Sequence, residues 1–128
     1  MTLKARIEAF SELGICLQNY IESKNSGSNF SQKLTNIIRK AEFQNAWFSE
    51  DQILNALADW SKVLTEDNLN TWLKPYSFEE FSTKRVAVVM AGNIPLVGFH
   101  DFLSVLITGH HFIGKLSSND RVLIPFLA

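Results

Sequence analysis

An asparagine and a lysine stand where a parallel sheet would present its ligands. Asn93 follows a short β-branched run, Arg85-Val86-Ala87-Val88-Val89-Met90, and Lys115 falls near the end of a second run over residues 110–116. Open parallel sheets bind ligands at the carboxyl ends of their strands, so paired strands would put both residues at the ligand edge. A helix beginning close to Asn93 would add exposed N–H groups and a positive dipole end, which suit phosphate. Gly92 removes side-chain bulk where a ligand would approach the backbone. Position alone leaves plainer roles open. An Asn before a helix is usually its cap, and a Lys at a strand end is usually a solvated charge.

Other reactive residue types form no constellation. His110 and His111 are adjacent in the expected strand and point to opposite faces, and His100 has no ligand partner at helical spacing. No zinc or other metal site is expected. Cys16 sits on the apolar face of the first helix and reads as a small core residue rather than a nucleophile. Gly92 and Gly98 do not make a dinucleotide fingerprint. Trp47, Trp60, Trp72 and the phenylalanines read as core or surface contacts.

The elements that position these residues divide the chain in two. Residues 1–81 are helical by pattern. Leu3, Ile7, Phe10, Gly14, Leu17 and Ile21 recur at steps of three and four, with Leu13, Cys16 and Tyr20 widening the face. Turn chemistry over residues 23–29 ends this helix. A second helix turns Leu34, Ile37, Ile38 and Ala41 inward. A third opens on Ser49 with Gln52 at the capping-box position and Phe48 and Ile53 as staple; Ile53, Leu54, Leu57, Trp60 and Leu64 form its stripe. A fourth opens on Thr65, with Leu64 and Leu69 as staple. Pro75 stops it by pushing Lys74 out of helical geometry.

Residues 82–128 change period. The run 85–90 reads as a strand buried on both faces. A turn with Pro95 leads to a helix over residues 96–108, mostly buried, with a narrow polar stripe of Asp101, Ser104 and Thr108 and with Gly109 to close it. The second strand and the turn Ser117-Ser118-Asn119-Asp120 complete a βαβ unit, with parallel strands and a right-handed crossover. The fold class is thus α/β, a helical amino-terminal region followed by one βαβ unit of a larger sheet. The apolar ending Ile124-Pro125-Phe126-Leu127-Ala128 reads as a cut at the start of a helix inside a larger fold.

With a formal net charge of -1, no basic stripe is present to neutralise phosphates, so nucleic acid is not an expected partner. No run approaches the ~18 apolar residues of a membrane span, and the start Met1-Thr2-Leu3-Lys4-Ala5-Arg6 is followed by charged and polar residues rather than the continuous apolar core of a signal peptide. With the single cysteine this points to a reducing, cytoplasmic setting.

Residues 86–128 resemble the cofactor domain of the aldehyde dehydrogenase superfamily. The resemblance is carried by Asn93-Ile94-Pro95-Leu96, Gly109 and Lys115-Leu116-Ser117-Ser118. Ala91-Gly92-Asn93-Ile94-Pro95 and Ser117-Ser118-Asn119-Asp120, with Pro125-Phe126-Leu127-Ala128, are most similar to its acyl-CoA reductase branch, which includes the fatty-acid reductase of bacterial bioluminescence. The resemblance implies an NAD(P)H-dependent reduction of acyl-CoA to aldehyde through a cysteine thioester. Asn93 would donate to the developing oxyanion, Lys115 would reach the adenosine ribose, and Ser117 and Ser118 would lie beside it, with Gly92 leaving room. Ser118 stands where NAD-preferring members commonly carry an acidic residue, which favours NADPH; Asp120 nearby leaves NADH open. The nucleophilic cysteine would lie outside these residues, so the chain alone is expected to be inactive. A contrasting expectation is a non-catalytic helical interaction module. Homo-oligomers are compatible with either, and pairing through an unfinished sheet would be an artefact of truncation.

Overall fold

In the computed structural model, which describes residues 1–78 and 82–128, α1 (Leu3–Ile21) begins where the Thr2 hydroxyl accepts from the Ala5 N–H. Its stripe of Ile7, Phe10, Gly14 and Leu17 is buried. Gly14 is required there, because a Cβ would come inside 3.0 Å of the Leu64 carbonyl. The helix closes through Ser23, at φ 55. The Ser23 N–H donates to the Tyr20 carbonyl and the Lys24 N–H to that of Asn19, the paired closure that satisfies a helix's last carbonyls.

The next three helices follow their caps. α2 (Asn29–Gln44) starts at Ser28 and buries Leu34, Ile38 and Ala41. α3 (Glu50–Val63) carries the complete Ser49–Gln52 capping box, and its staple residues Phe48 and Ile53 are buried. α4 (Glu66–Leu73) is capped by Thr65, whose hydroxyl accepts from the Asn68 N–H. Lys74 departs from expectation. It keeps helical geometry, at φ -52 and ψ -38, and donates to the Asn70 carbonyl. The helix stops instead because Pro75 has no N–H with which to continue it.

Two strands follow, β1 (Arg85–Val89) and β2 (His111–Lys115), joined by α5 (Phe99–Ile107). They pair in parallel, with Arg85 opposite His111 and Val89 opposite Lys115. α5 closes as expected: Gly109, at φ 89, donates to the Leu106 carbonyl and His110 to that of Val105. Val86, Val88 and Phe112 are half-buried on one face of the sheet. The other face is open, with Val89 81% and Ile113 51% exposed. The expectation of a strand buried on both faces therefore fails among the described residues, because α5 covers only one of them. α6 (Leu123–Leu127) holds Pro125 in its first turn.

The core joins the helices to the sheet through α5. Phe99 meets the Trp60 ring at 4.7 Å, while Phe102 meets Phe10 at 6.3 Å and Phe112 at 5.2 Å. Edge-to-face pairs of this kind add about 0.5–1.5 kcal/mol each beyond their buried area. Trp60 and Trp72 are partly buried against this core, whereas Trp47 is 84% exposed. The boundary expected after residue 81 falls on that residue and lies outside the described ones.

Candidate functional site

The carboxyl ends of β1 and β2 bring the two loops of interest together. The Met90 N–H donates to the Lys115 carbonyl at 3.0 Å, extending the ladder one residue past β1. Two residues on, Gly92 is buried against Ser117. A Cβ at Gly92 would come inside 3.0 Å of both Cβ and Oγ of Ser117. The close approach that this glycine permits is thus between the loops themselves.

Asn93 comes next, exposed, and no described residue hydrogen-bonds to its amide. It is not the helix cap. The first helical residue is Phe99 and the cap position is Gly98, with no side-chain bond. The start expected at Leu96 fails because Leu96 has φ 61, a left-handed conformation no helix can contain. For a bulky residue this costs roughly 1–2 kcal/mol. Leu96 nevertheless sits in the core at 1% exposure, so the surroundings dictate its backbone. Gly98 and Phe99 are themselves buried, which removes the open helix terminus expected beside Asn93.

The β2–α6 loop supplies the other side of the edge. Lys115 is exposed and forms no ion pair among the described residues. Ser118 is exposed, and the Ser117 hydroxyl accepts from the Asn119 N–H at 3.2 Å. The Asn119 carbonyl accepts from Asn45 Nδ2 at 3.1 Å, tying the loop to the end of α2. Asp120 turns inward, with 5% exposure, and accepts from the Leu123 N–H at 3.1 Å. Burial pushes its carboxyl above the ordinary value, partly offset by the backbone N–H groups of Leu123, Val122, Leu96 and Ile124. It is therefore not placed to take ribose hydroxyls, as one reading of the loop allowed.

The edge thus displays an amide, an ammonium and a hydroxyl on Asn93, Lys115 and Ser118, with the loop's one carboxylate withdrawn. Such a set suits a ligand rich in phosphate or hydroxyl oxygens.

A large cavity among the described residues lies elsewhere. It is about 720 Å³, is lined by Arg6, Phe10, Leu13, Phe102, Leu106 and His110 among others, and opens at the amino ends of the strands. Arg6 was not singled out by sequence. Its Nε donates to the Ile107 carbonyl at 2.8 Å and its Nη1 to that of Met1 at 2.5 Å, so its charge sits at the negative end of α5. The available signal was its helical position, between Leu13 and Leu17 on the apolar face. Arg6, the cation of this cavity, is thus already engaged by two carbonyls.

The remaining candidates are scattered. His110 Nδ1 accepts from the Lys84 N–H at 3.2 Å, and His111 opens β2. No group of three or more His, Cys, Asp or Glu could hold a metal among the described residues. Cys16 is exposed, contrary to the expected core position, because the face α1 buries is narrow and Cys16 lies about 100° beyond Leu17. Comparisons with family models, curated proteins and solved structures find no match to this chain. No described helix is long and apolar enough to cross a membrane.

Proposed function

We propose that these residues form the amino-terminal part of an NAD(P)H-dependent acyl-CoA reductase, an oxidoreductase of aldehyde-dehydrogenase type that converts acyl-CoA to aldehyde. The observation that carries the reading is the shared edge: Asn93, Lys115 and Ser118 are exposed at the carboxyl ends of two parallel strands, with Asp120 withdrawn. The resemblance of the Asn93 and Lys115 segments to that family gives these donors their roles.

Asn93 Nδ2 donates to the thioester oxygen as negative charge develops on it. The interaction strengthens toward the transition state and so lowers the barrier. Lys115 and Ser118 orient the cofactor through its ribose, with Ser117 bracing the loop against Gly92. The small neutral Ser118 favours NADPH over NADH. When bound, the cofactor supplies the hydride. The attacking thiolate comes from outside these residues, since Cys16 sits in a recess with Asn19, Asn25 and Phe30 and not at this edge. A reducing cytoplasmic compartment suits a thiolate enzyme.

A second reading, a non-catalytic interaction module, draws on Phe43 and Trp47, which are 92% and 84% exposed near the end of α2. The test is NADPH oxidation driven by acyl-CoA, measured in the longer protein that carries these residues. Turnover is expected, falling about 10²–10³-fold in kcat for Asn93→Ala. Absence of turnover with every acyl-CoA and either nicotinamide, from a folded protein, favours the interaction module.

A further inference from the structure

We propose that Asn45, at the end of α2, is the positioning residue for the β2–α6 loop: its side-chain amide holds the Asn119 backbone and so sets where the Ser118 hydroxyl stands at the sheet edge. The proposal rests on reading Ser118 as a cofactor contact.

Hydrogen bonds on both sides of Ser118 carry it. Asn45 Nδ2 donates to the Asn119 carbonyl at 3.1 Å, joining residues 74 apart in the chain. The Asn119 N–H donates in turn to the Ser117 hydroxyl at 3.2 Å, and Ser117 lies against Gly92. Ser118 thus has a pinned neighbour on each side, Ser117 against the β1–α5 loop and Asn119 against α2. A bond within the loop fixes the shape of the loop, whereas the bond from Asn45 fixes where that shape stands.

Asn45 is itself firmly placed. Its N–H donates to the Ala41 carbonyl, and its carbonyl accepts from the Phe48 N–H at 2.9 Å. Its Oδ1 accepts from the Trp47 N–H at 3.0 Å, the side-chain turn that Asn, Asp and Ser all make. Phe48 anchors this turn in the core at 1% exposure. Aspartate would serve the turn equally well. The bond to Asn119 needs a donor of the same reach, and the amide supplies it.

α2 acts as a strut along the loop and the helix after it. Near the start of α2 the Phe30 ring meets that of Phe126 at 5.5 Å, and past its end Asn45 meets Asn119. The segment from Asn119 to Phe126 is therefore held at both ends by one helix, which gives the helical region a part in placing a loop of the sheet.

Two variants of the chain test this, Asn45→Asp and Asn45→Ser. Both keep an acceptor for the Trp47 N–H. The carboxylate cannot donate to Asn119, and the serine hydroxyl is too short to reach it. The neutral serine also separates the lost hydrogen bond from the added charge. In ¹⁵N relaxation the Ser118 and Asn119 amides should fall from order parameters of about 0.85 toward about 0.6, while the Trp47 amide keeps its value. In the longer protein both variants should raise KM for NADPH by about three- to tenfold, the worth of roughly one hydrogen bond, at unchanged kcat. Unchanged loop order parameters in both variants would overturn the proposal. So would a loosened loop with unchanged KM, which would leave Asn45 a structural tie alone. A wild type without any turnover sinks the reductase reading instead, and the order parameters then decide whether Asn45 holds the loop.

Discussion

Replacing Gly92 with alanine sets a methyl carbon inside 3.0 Å of Ser117 Cβ and Oγ, and 3.5 Å from Asn119 Cβ. Ordinary carbon contacts lie near 3.5–4.0 Å, so the β1–α5 and β2–α6 loops must part. Ser117 Cβ is fixed to the backbone and cannot rotate away, so the relief has to come from loop movement. Overpacking of this kind costs about 1–3 kcal/mol. Gly92 has no positive φ, which leaves the cost purely steric. Chemical denaturation of wild type, Gly92→Ala, Ser117→Gly and the double variant measures it. The single Gly92→Ala change should lower stability by the stated amount, moving Tm by roughly 3–6 °C per kcal/mol for a chain of this size. Removing the opposing Cβ should return most of the loss, giving a coupling of about 1 kcal/mol or more. A loss below about 0.5 kcal/mol, or no recovery in the double variant, would refute the loop contact and with it the geometry of the proposed edge.

Two further expectations concern Asp120 and Cys16. Burial raises the folded carboxyl of Asp120 above its ordinary value of 3.8, so the folded chain keeps this proton to higher pH than the unfolded chain does. Its contribution to stability is full below 3.8 and is lost as pH rises through the raised value. The unfolding free energy of wild type relative to Asp120→Asn should therefore decline across that window, and a difference that grows with pH contradicts the burial argument. Cys16, exposed on α1, should react with a thiol reagent in the folded chain at a rate close to that in denaturant; strong protection in the folded state would place it in the core after all.

Local signals carried the helices. Ser49 and Gln52 lie three residues apart, so their box needs nothing from the rest of the chain, and the stripe of Ile7, Phe10, Gly14 and Leu17 follows from helical periodicity alone. The parallel pairing was legible too, since β1 and β2 are β-branched or apolar runs joined by a helical pattern. What escaped was set by distant contacts. Leu96 carries no sign of a left-handed turn, because its burial in the core imposes it, and the start of α5 was placed too early in consequence. Asp120 sits in a polar Ser-Ser-Asn-Asp sequence that reads as solvated, yet it turns inward to accept from the Leu123 N–H. β1 has the composition of a strand covered on both sides, while the described residues cover one. For the site, Asn93 and Lys115 were legible as an edge pair from their positions after the strands and Ser118 only through the family resemblance, while the contact between Gly92 and Ser117 required the register of the sheet.

We propose that ligands meet this chain at the carboxyl edge of β1 and β2. Titration of the chain with NADPH, followed residue by residue in ¹H–¹⁵N NMR spectra, tests it most directly. Shifts are expected at Lys115, Ser117 and Ser118 and at the Asn93 side-chain amide, weakened by Lys115→Ala and reduced for NADH. Shifts confined to the cavity around Arg6 and His110, or no shifts at millimolar NADPH, would contradict it.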